Sequence, residues 1–262
     1  MEVVILPDGY AVARVGAAIV ARLVGDKPDA VLGLATGSTP HGLYAELVRR
    51  VQDETLDLSG VTTFNLDEYV GLDPSDPESY HAYMRRELFE HVTVKRAWIP
   101  DGQAEDIPAA CRAYEQAIEA AGGIDLQVLG LGHDAHIGFN EPTSSLASRT
   151  RIKTLADQTV QANRRFFEGR EVPRHVITMG VGTIMQSRHC LMIALGGGKA
   201  EAVAAMVEGP ITSMKPASVL QMHPKVTVLL DVEAAAALTM RDYFRSVWEN
   251  KPAWQIPNPS SA

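Results

Sequence analysis

Residues 125–142 read DLQVLGLGHDAHIGFNEP. The segment opens on an apolar run, 126–131, with the length and composition of a buried strand. Gly130 and Gly132 break that run, and His133, Asp134, His136, Asn140 and Glu141 follow within nine residues. Segments that only build a core rarely collect so much ionisable chemistry straight after a strand. In an open α/β sheet, the carboxyl end of a strand is where ligands bind and catalytic groups gather. The stretch therefore predicts an α/β fold with its active-site loop at this point.

The same pattern recurs on either side. Residues 30–35 (AVLGLA) read as a buried strand, followed by Thr36-Gly37-Ser38-Thr39-Pro40 and a helix over about 41–51. A strand at 61–65 leads into Asp67 and Glu68. Another at 190–195 breaks at Gly196-Gly197-Gly198-Lys199, where a helix to about 207 begins. Strands are also expected at 3–6, near Trp98, at 176–179 and at 226–230. Helices are expected at 10–23, 79–90, 107–121, near Ile184 and at 233–248. Residues 143–156 are polar and hydroxyl-rich, with no clear period. Strands alternating with helices imply a doubly wound, mainly parallel sheet with helices on both faces. No linker or repeat divides the chain, so residues 1–262 are expected to form a single domain, with a loosely held, proline-rich tail over 251–262.

Composition narrows the function. A formal net charge of -8 argues against nucleic acid as the main partner, because polyanion binders usually carry a basic face. A small phosphorylated ligand needs only one or two cations and a few backbone N–H groups, so it stays open. No apolar run approaches membrane-spanning length, and the N-terminus MEVVILPDGY lacks the basic and apolar regions of a signal peptide. Cys111 and Cys190 read as reduced, buried thiols. The expectation is a cytoplasmic protein without membrane contact.

Four motifs carry chemistry. The Gly37-Ser38-Thr39 turn would aim amides and hydroxyls at an oxyanion; the plainer alternative is that Ser38 and Thr39 cap the helix. A lysine at a helix start, as at Lys199, suggests an anion between it and the helix dipole, although a lone lysine is more often a solvated surface group. Asp67 or Glu68 could project a general base from a strand end, or Asp67 could merely cap a turn. The His133-to-His136 run admits a metal site, but neighbouring loop residues seldom converge tetrahedrally and no distant ligand set stands out. Its G-x-G-x-x-A spacing lacks the helix that a dinucleotide fingerprint needs. The favoured reading is a proton-transfer histidine, His136, whose tautomer is set by Asp134 or Glu141. Arg165 could add a phosphate cation.

Taken together, GLATGSTP, TTFNLDEYVGL, PESYHAYM, GLGHDAHIGFNEPTSSLASRTRIKTL and LQMHP resemble the glucosamine-6-phosphate deaminase family over nearly the whole chain. The resemblance implies a modified Rossmann-like fold. It also implies conversion of glucosamine 6-phosphate and water to fructose 6-phosphate and ammonia, with no metal or organic cofactor. By that likeness Asp67 matches the carboxylate that moves a proton between C2 and C1. His136 matches the ring-opening histidine, and Asp134 and Glu141 match the carboxylates that support it. Gly37, Ser38, Thr39, Arg165 and Lys199 match the phosphate site. In hexameric members N-acetylglucosamine 6-phosphate acts as an effector, and Ser144, Arg151, Lys153 and Tyr243 match its positions; a homo-oligomer is therefore expected. Three positions depart from the family pattern: Ala135 stands where glycine is usual, His133 where a small or amide residue is common, and Ser38 where glycine is frequent, a change compatible with an anion loop. Two rivals were weighed. A 6-phosphogluconolactonase would need no base at C2, and a non-catalytic sugar-phosphate sensor would be expected to lack the carboxylates present here.

Overall fold

The computed structural model describes residues 1–167 and 169–255. Its strands are β1 (Glu2–Leu6), β2 (Val31–Leu34), β3 (Thr62–Asn65), β4 (Asp67–Tyr69), β5 (Arg96–Trp98), β6 (Leu126–Gly130), β7 (Arg151–Thr154), β8 (His175–Thr178), β9 (Cys190–Ala194) and β10 (Val226–Asp231). The α-helices are α1 (Gly9–Asp26), α2 (His41–Gln52), α3 (Tyr80–Met84), α4 (Ile107–Ala120), α5 (Asp157–Asn163), α6 (Val181–Ile184), α7 (Ala200–Val207) and α8 (Arg241–Glu249).

Seven strands form one sheet in the order β1-β10-β9-β6-β2-β3-β5, and every neighbouring pair is parallel. All residues of β2 and β9 are buried, as expected where helices cover both faces of a strand. Asp8 and Asp106 cap α1 and α4 by accepting from the amides of Ala11 and Ala109. The main core runs along this sheet, and Phe64 lies stacked on Trp98 with Tyr114 edge-on.

Beside the expected mainly parallel sheet stands a second, small one that was not foreseen. β4, β8 and β7 pair antiparallel in that order, over a smaller core that includes Tyr69, Phe139, Phe167 and Val176. Its strands are only three or four residues long, too short for a period to register in the sequence. The strand expected at 176–179 belongs here rather than in the main sheet. The helix expected over 79–90 changes to a π-helical turn at Arg85–Phe89.

The last helix starts at Arg241, not at residue 233. Glu208 accepts from the amides of Thr239 and Met240, which fixes the start there, while residues 232–237 form turns. The tail divides at residue 255. Lys251 pairs with Glu2, and Arg22 donates to the Trp254 carbonyl at 3.2 Å, so this part is tied to the body. The rest of the expected loose tail, 256–262, lies outside the described residues. Both cysteines are free and buried, and no helix among the described residues is long and apolar enough to cross a membrane.

Candidate active site

The carboxyl ends of β9, β6, β2 and β3, four consecutive strands of the main sheet, open into one cleft of about 220 Å³. Lys199 follows β9, His136 follows β6, the 36–39 turn follows β2, and Asp67 stands just beyond β3; all of them line the cleft. α5 and the turn after it add Thr159, Asn163, Arg165 and Phe166 as an opposing wall. A larger hollow of about 510 Å³ lies at the amino ends of the strands. There Arg188 pairs with Asp125 and Lys251 with Glu2, so much of its charge is already matched.

Asp67 is buried, with a side-chain hydrogen bond to Thr36. Burial, reinforced by the neighbouring Glu68 charge and only partly offset by Thr36, pushes its carboxyl up to about 8. Glu68 faces elsewhere. Its carboxylate accepts from the amides of Tyr69, Tyr80 and His81 and lies 2.8 Å from His81 Nδ1. Glu68 thus fixes the start of α3 and the placement of Tyr80, which also lines the cleft. Of the Asp-Glu pair, only Asp67 is available to a ligand.

His136 closes a tight turn in which Gly132 donates to the His136 carbonyl and Ala135 to the Gly132 carbonyl. The imidazole lies against the Gly132 backbone, and a Cβ at residue 132 would stand 2.3–2.5 Å from the ring. His136 Nδ1 is 2.6 Å from Asp134 Oδ1, in ion-pair contact but off the direction of a hydrogen bond. Burial works to raise the Asp134 carboxyl, yet contact with His136 outweighs it and holds the group at about 2. Ala135 has φ of +65°, the left-handed conformation that the usual glycine would adopt freely.

Among the described residues, Glu141 makes no hydrogen bond to His136. It is buried and accepts from the Ala156 amide and the Thr159 hydroxyl at the start of α5. Of the two carboxylates expected to support His136, Asp134 contacts it directly, while Glu141 is engaged where a helix start leaves amides without partners.

Lys199 and Arg165 are close enough for their charges to interact. Burial lowers the Lys199 ammonium pKa, the Arg165 charge lowers it further, and Asp134 opposes both. Two neighbouring cations that form no ion pair with a carboxylate among the described residues suit a doubly charged anion. Ser38 and Thr39 line the same cleft, and α2 begins without any side-chain cap, so neither hydroxyl is spent as one.

The effector positions are scattered. Arg151 and Lys153 alternate with exposed residues along β7, which puts them on one side of the strand. Arg151 donates to the Asn140 side-chain oxygen at 2.9 Å, and burial lowers its pKa. Ser144 buries a hydroxyl with no partner. Tyr243 stands apart on α8, which packs against β1, whereas β7 packs against α4 on the β3–β5 side.

Residues 10–229 match the family of glucosamine-6-phosphate isomerases/6-phosphogluconolactonase. The chain belongs to that family. A glucosamine-6-phosphate deaminase of Arthrobacter sp. (strain FB24) is 56% identical, with 97% of this chain and 99% of the relative covered. One from Mycolicibacterium smegmatis is 53% identical, again covering 97% and 99%. A solved monomeric glucosamine-6-phosphate deaminase superposes with a TM-score of 0.87 at 46% identity, covering 90% of this chain and all of that one. The 6-phosphogluconolactonase from Trypanosoma cruzi, at 19% identity and a TM-score of 0.72 over 91% and 97% of the two chains, shares the fold.

Within this family framework, sequence reasoning passed over several residues of the cleft. Thr36 was read as part of an anion turn, yet its hydroxyl reaches Asp67. Tyr80, Thr159 and Asn163 line the wall without having been singled out. Tyr80 lies in the quoted PESYHAYM motif, which was a usable signal. Thr159 and Asn163 carried none, since their placement depends on how α5 folds back over the sheet.

Proposed function

We propose that this chain is a glucosamine-6-phosphate deaminase, releasing ammonia and fructose 6-phosphate from glucosamine 6-phosphate and water. The observation that carries the reading is one cleft holding two separate proton-transfer centres, Asp67 and the Asp134-backed His136, with the Arg165–Lys199 cation pair. The 53–56% identity to deaminases along the whole chain supports it.

In this reading Arg165, Lys199 and the 37–39 turn hold the phosphate. His136 takes the proton of the anomeric hydroxyl and returns one to the ring oxygen, opening the pyranose. Asp67, as carboxylate, removes the C2 proton of the open-chain aldehyde, a proton of the C2 ammonium passes to the C1 oxygen, and Asp67 delivers its proton to C1. The C2–nitrogen bond then has iminium character. Water adds at C2, ammonia leaves, and the ketone remains. Lactone hydrolysis would leave a buried carboxylate such as Asp67 without a task, which favours the deaminase.

Ammonia and fructose 6-phosphate release, measured with EDTA present, tests the proposal; Asp67→Asn should lower kcat by about 10²–10⁴-fold. No ammonia from wild type, with or without N-acetylglucosamine 6-phosphate, would overturn it.

Regulation and assembly belong to the same proposal. Arg151, Lys153 and the unpaired Ser144 hydroxyl suit a second phosphate, but Tyr243 could join them only from another copy. The hexamer expected of allosteric members would supply it, whereas the 46% identical solved relative is monomeric. Light scattering, paired with activity measured with and without the effector, decides between a regulated oligomer and an unregulated monomer. The free, buried thiols suit the expected cytoplasmic setting.

A further inference from the structure

Lys199 reaches the cleft from three successive glycines, the most permissive backbone a chain can offer. Left to itself such a run would spread the ammonium over many positions, yet this one is held at its first residue. Gly196 leaves β9 with φ of +80°, and its amide donates to both carboxylate oxygens of Asp231, at 3.0 and 2.9 Å. Asp231 is the last residue of β10, the parallel neighbour of β9, and Ala194 lies opposite Leu230 in their register. The same carboxylate accepts from the Ala234 amide at 2.7 Å, which fixes its own orientation. From Gly196 the constraint passes on, because the Lys199 amide donates to the Gly196 carbonyl at 3.0 Å.

We propose that Asp231 is a positioning residue for phosphate recognition: its carboxylate anchors the glycine run that aims Lys199 at the ligand. The inference rests on the reading of Lys199 as a phosphate ligand. Asp231 does not line the cleft, so it acts through the loop rather than on the ligand. The hydrogen bonds are charge-assisted and thus the strong kind. Nothing ties Asp231 to Asp67 or His136, and the phosphate end of the substrate is remote from C1 and C2. Its loss should therefore weaken ground-state and transition-state binding alike, raising KM while sparing kcat.

The test compares wild type, Asp231→Asn, Asp231→Ala, Lys199→Ala and the Asp231→Ala/Lys199→Ala double variant. Two readouts are taken: steady-state kinetics with glucosamine 6-phosphate, and the Kd of inorganic phosphate by calorimetry. Asp231→Ala is expected to raise KM and the phosphate Kd by about tenfold, with kcat within about threefold of wild type. Asp231→Asn, which keeps one carbonyl acceptor, should fall between the two. In the Lys199→Ala background the Asp231 change should add less than about twofold, since both act through one contact. A folded Asp231→Ala or Asp231→Asn with unchanged phosphate Kd overturns the inference, as does full additivity with Lys199→Ala. The calorimetric arm separates the two readings. Phosphate binding that depends on Asp231, without ammonia release, would sink the deaminase and keep the anchor; wild type that binds no phosphate would sink the anchor.

Discussion

Asp67 combines catalytic reach with a cost to stability, and both follow from its burial. Its carboxyl sits at about 8 in the folded chain, against about 3.9 for an exposed aspartate. The base form is the active one in the proposed mechanism, so kcat/KM should climb with pH until about 8. The Glu68 charge is the second cause of the elevation, so Glu68→Gln should move that limb to lower pH; an unmoved limb would assign it to another group. Folding keeps a proton on Asp67 that the unfolded chain releases between about pH 4 and 8, so stability falls across that window as pH rises. Asp67→Asn should therefore be more stable than wild type at pH 8, on the order of 5 kcal/mol, with the gain vanishing near pH 4 in denaturant titrations. Gly132 carries a different constraint. With an added Cβ 2.3–2.5 Å from the His136 ring, Gly132→Ala must displace the imidazole. A displacement of about 1 Å should lower kcat by about 100-fold in a protein that still folds.

At the level of elements, α5 decides the shape of the cleft, and Glu141 holds α5. The carboxylate occupies the Ala156 amide and Thr159 hydroxyl, one turn before the residues that face Asp67 and His136. Glu141→Gln replaces a charged acceptor with a weaker one. The expected outcome is faster hydrogen exchange over 156–163 and a KM raised by about tenfold, because Arg165 sits just beyond the helix. A fall in kcat with unchanged exchange would instead return Glu141 to a role beside His136. The elements also mark where the sequence was readable. Strands β2, β6 and β9 are mainly apolar, buried and soon followed by glycine, so their placement and that of the residues after them followed directly. The small sheet was not readable, because β4 is three residues long and its polar residues are buried by contacts from distant parts of the chain. The run 233–238 looked helical by composition, but Asp231 takes the Ala234 amide within it and Glu208 takes the Thr239 and Met240 amides just after it.

At the level of the whole molecule, the net charge of -8 repels a phosphorylated ligand at long range, so binding depends on the local Arg165–Lys199 pair. Inorganic phosphate at about 100 times its Kd should raise folding stability by about 2.7 kcal/mol. Lys199→Ala should remove most of that rise in a thermal melt, whereas a stabilisation that survives would place the anion elsewhere. By itself the sequence determined the alternation of strands and helices and the order of the loops, and its family motifs named Asp67, His136 and Lys199 as candidates. The alternation follows from local periodicity, and the candidates follow from motifs shared with the family. Tertiary structure alone decided that Glu68 is spent on the start of α3, that Glu141 accepts from the start of α5, and that Asp231 accepts from the amide of Gly196. Each of those depends on which unpaired amide a carboxylate meets, and residues far apart in the chain supply those amides once the sheet has formed.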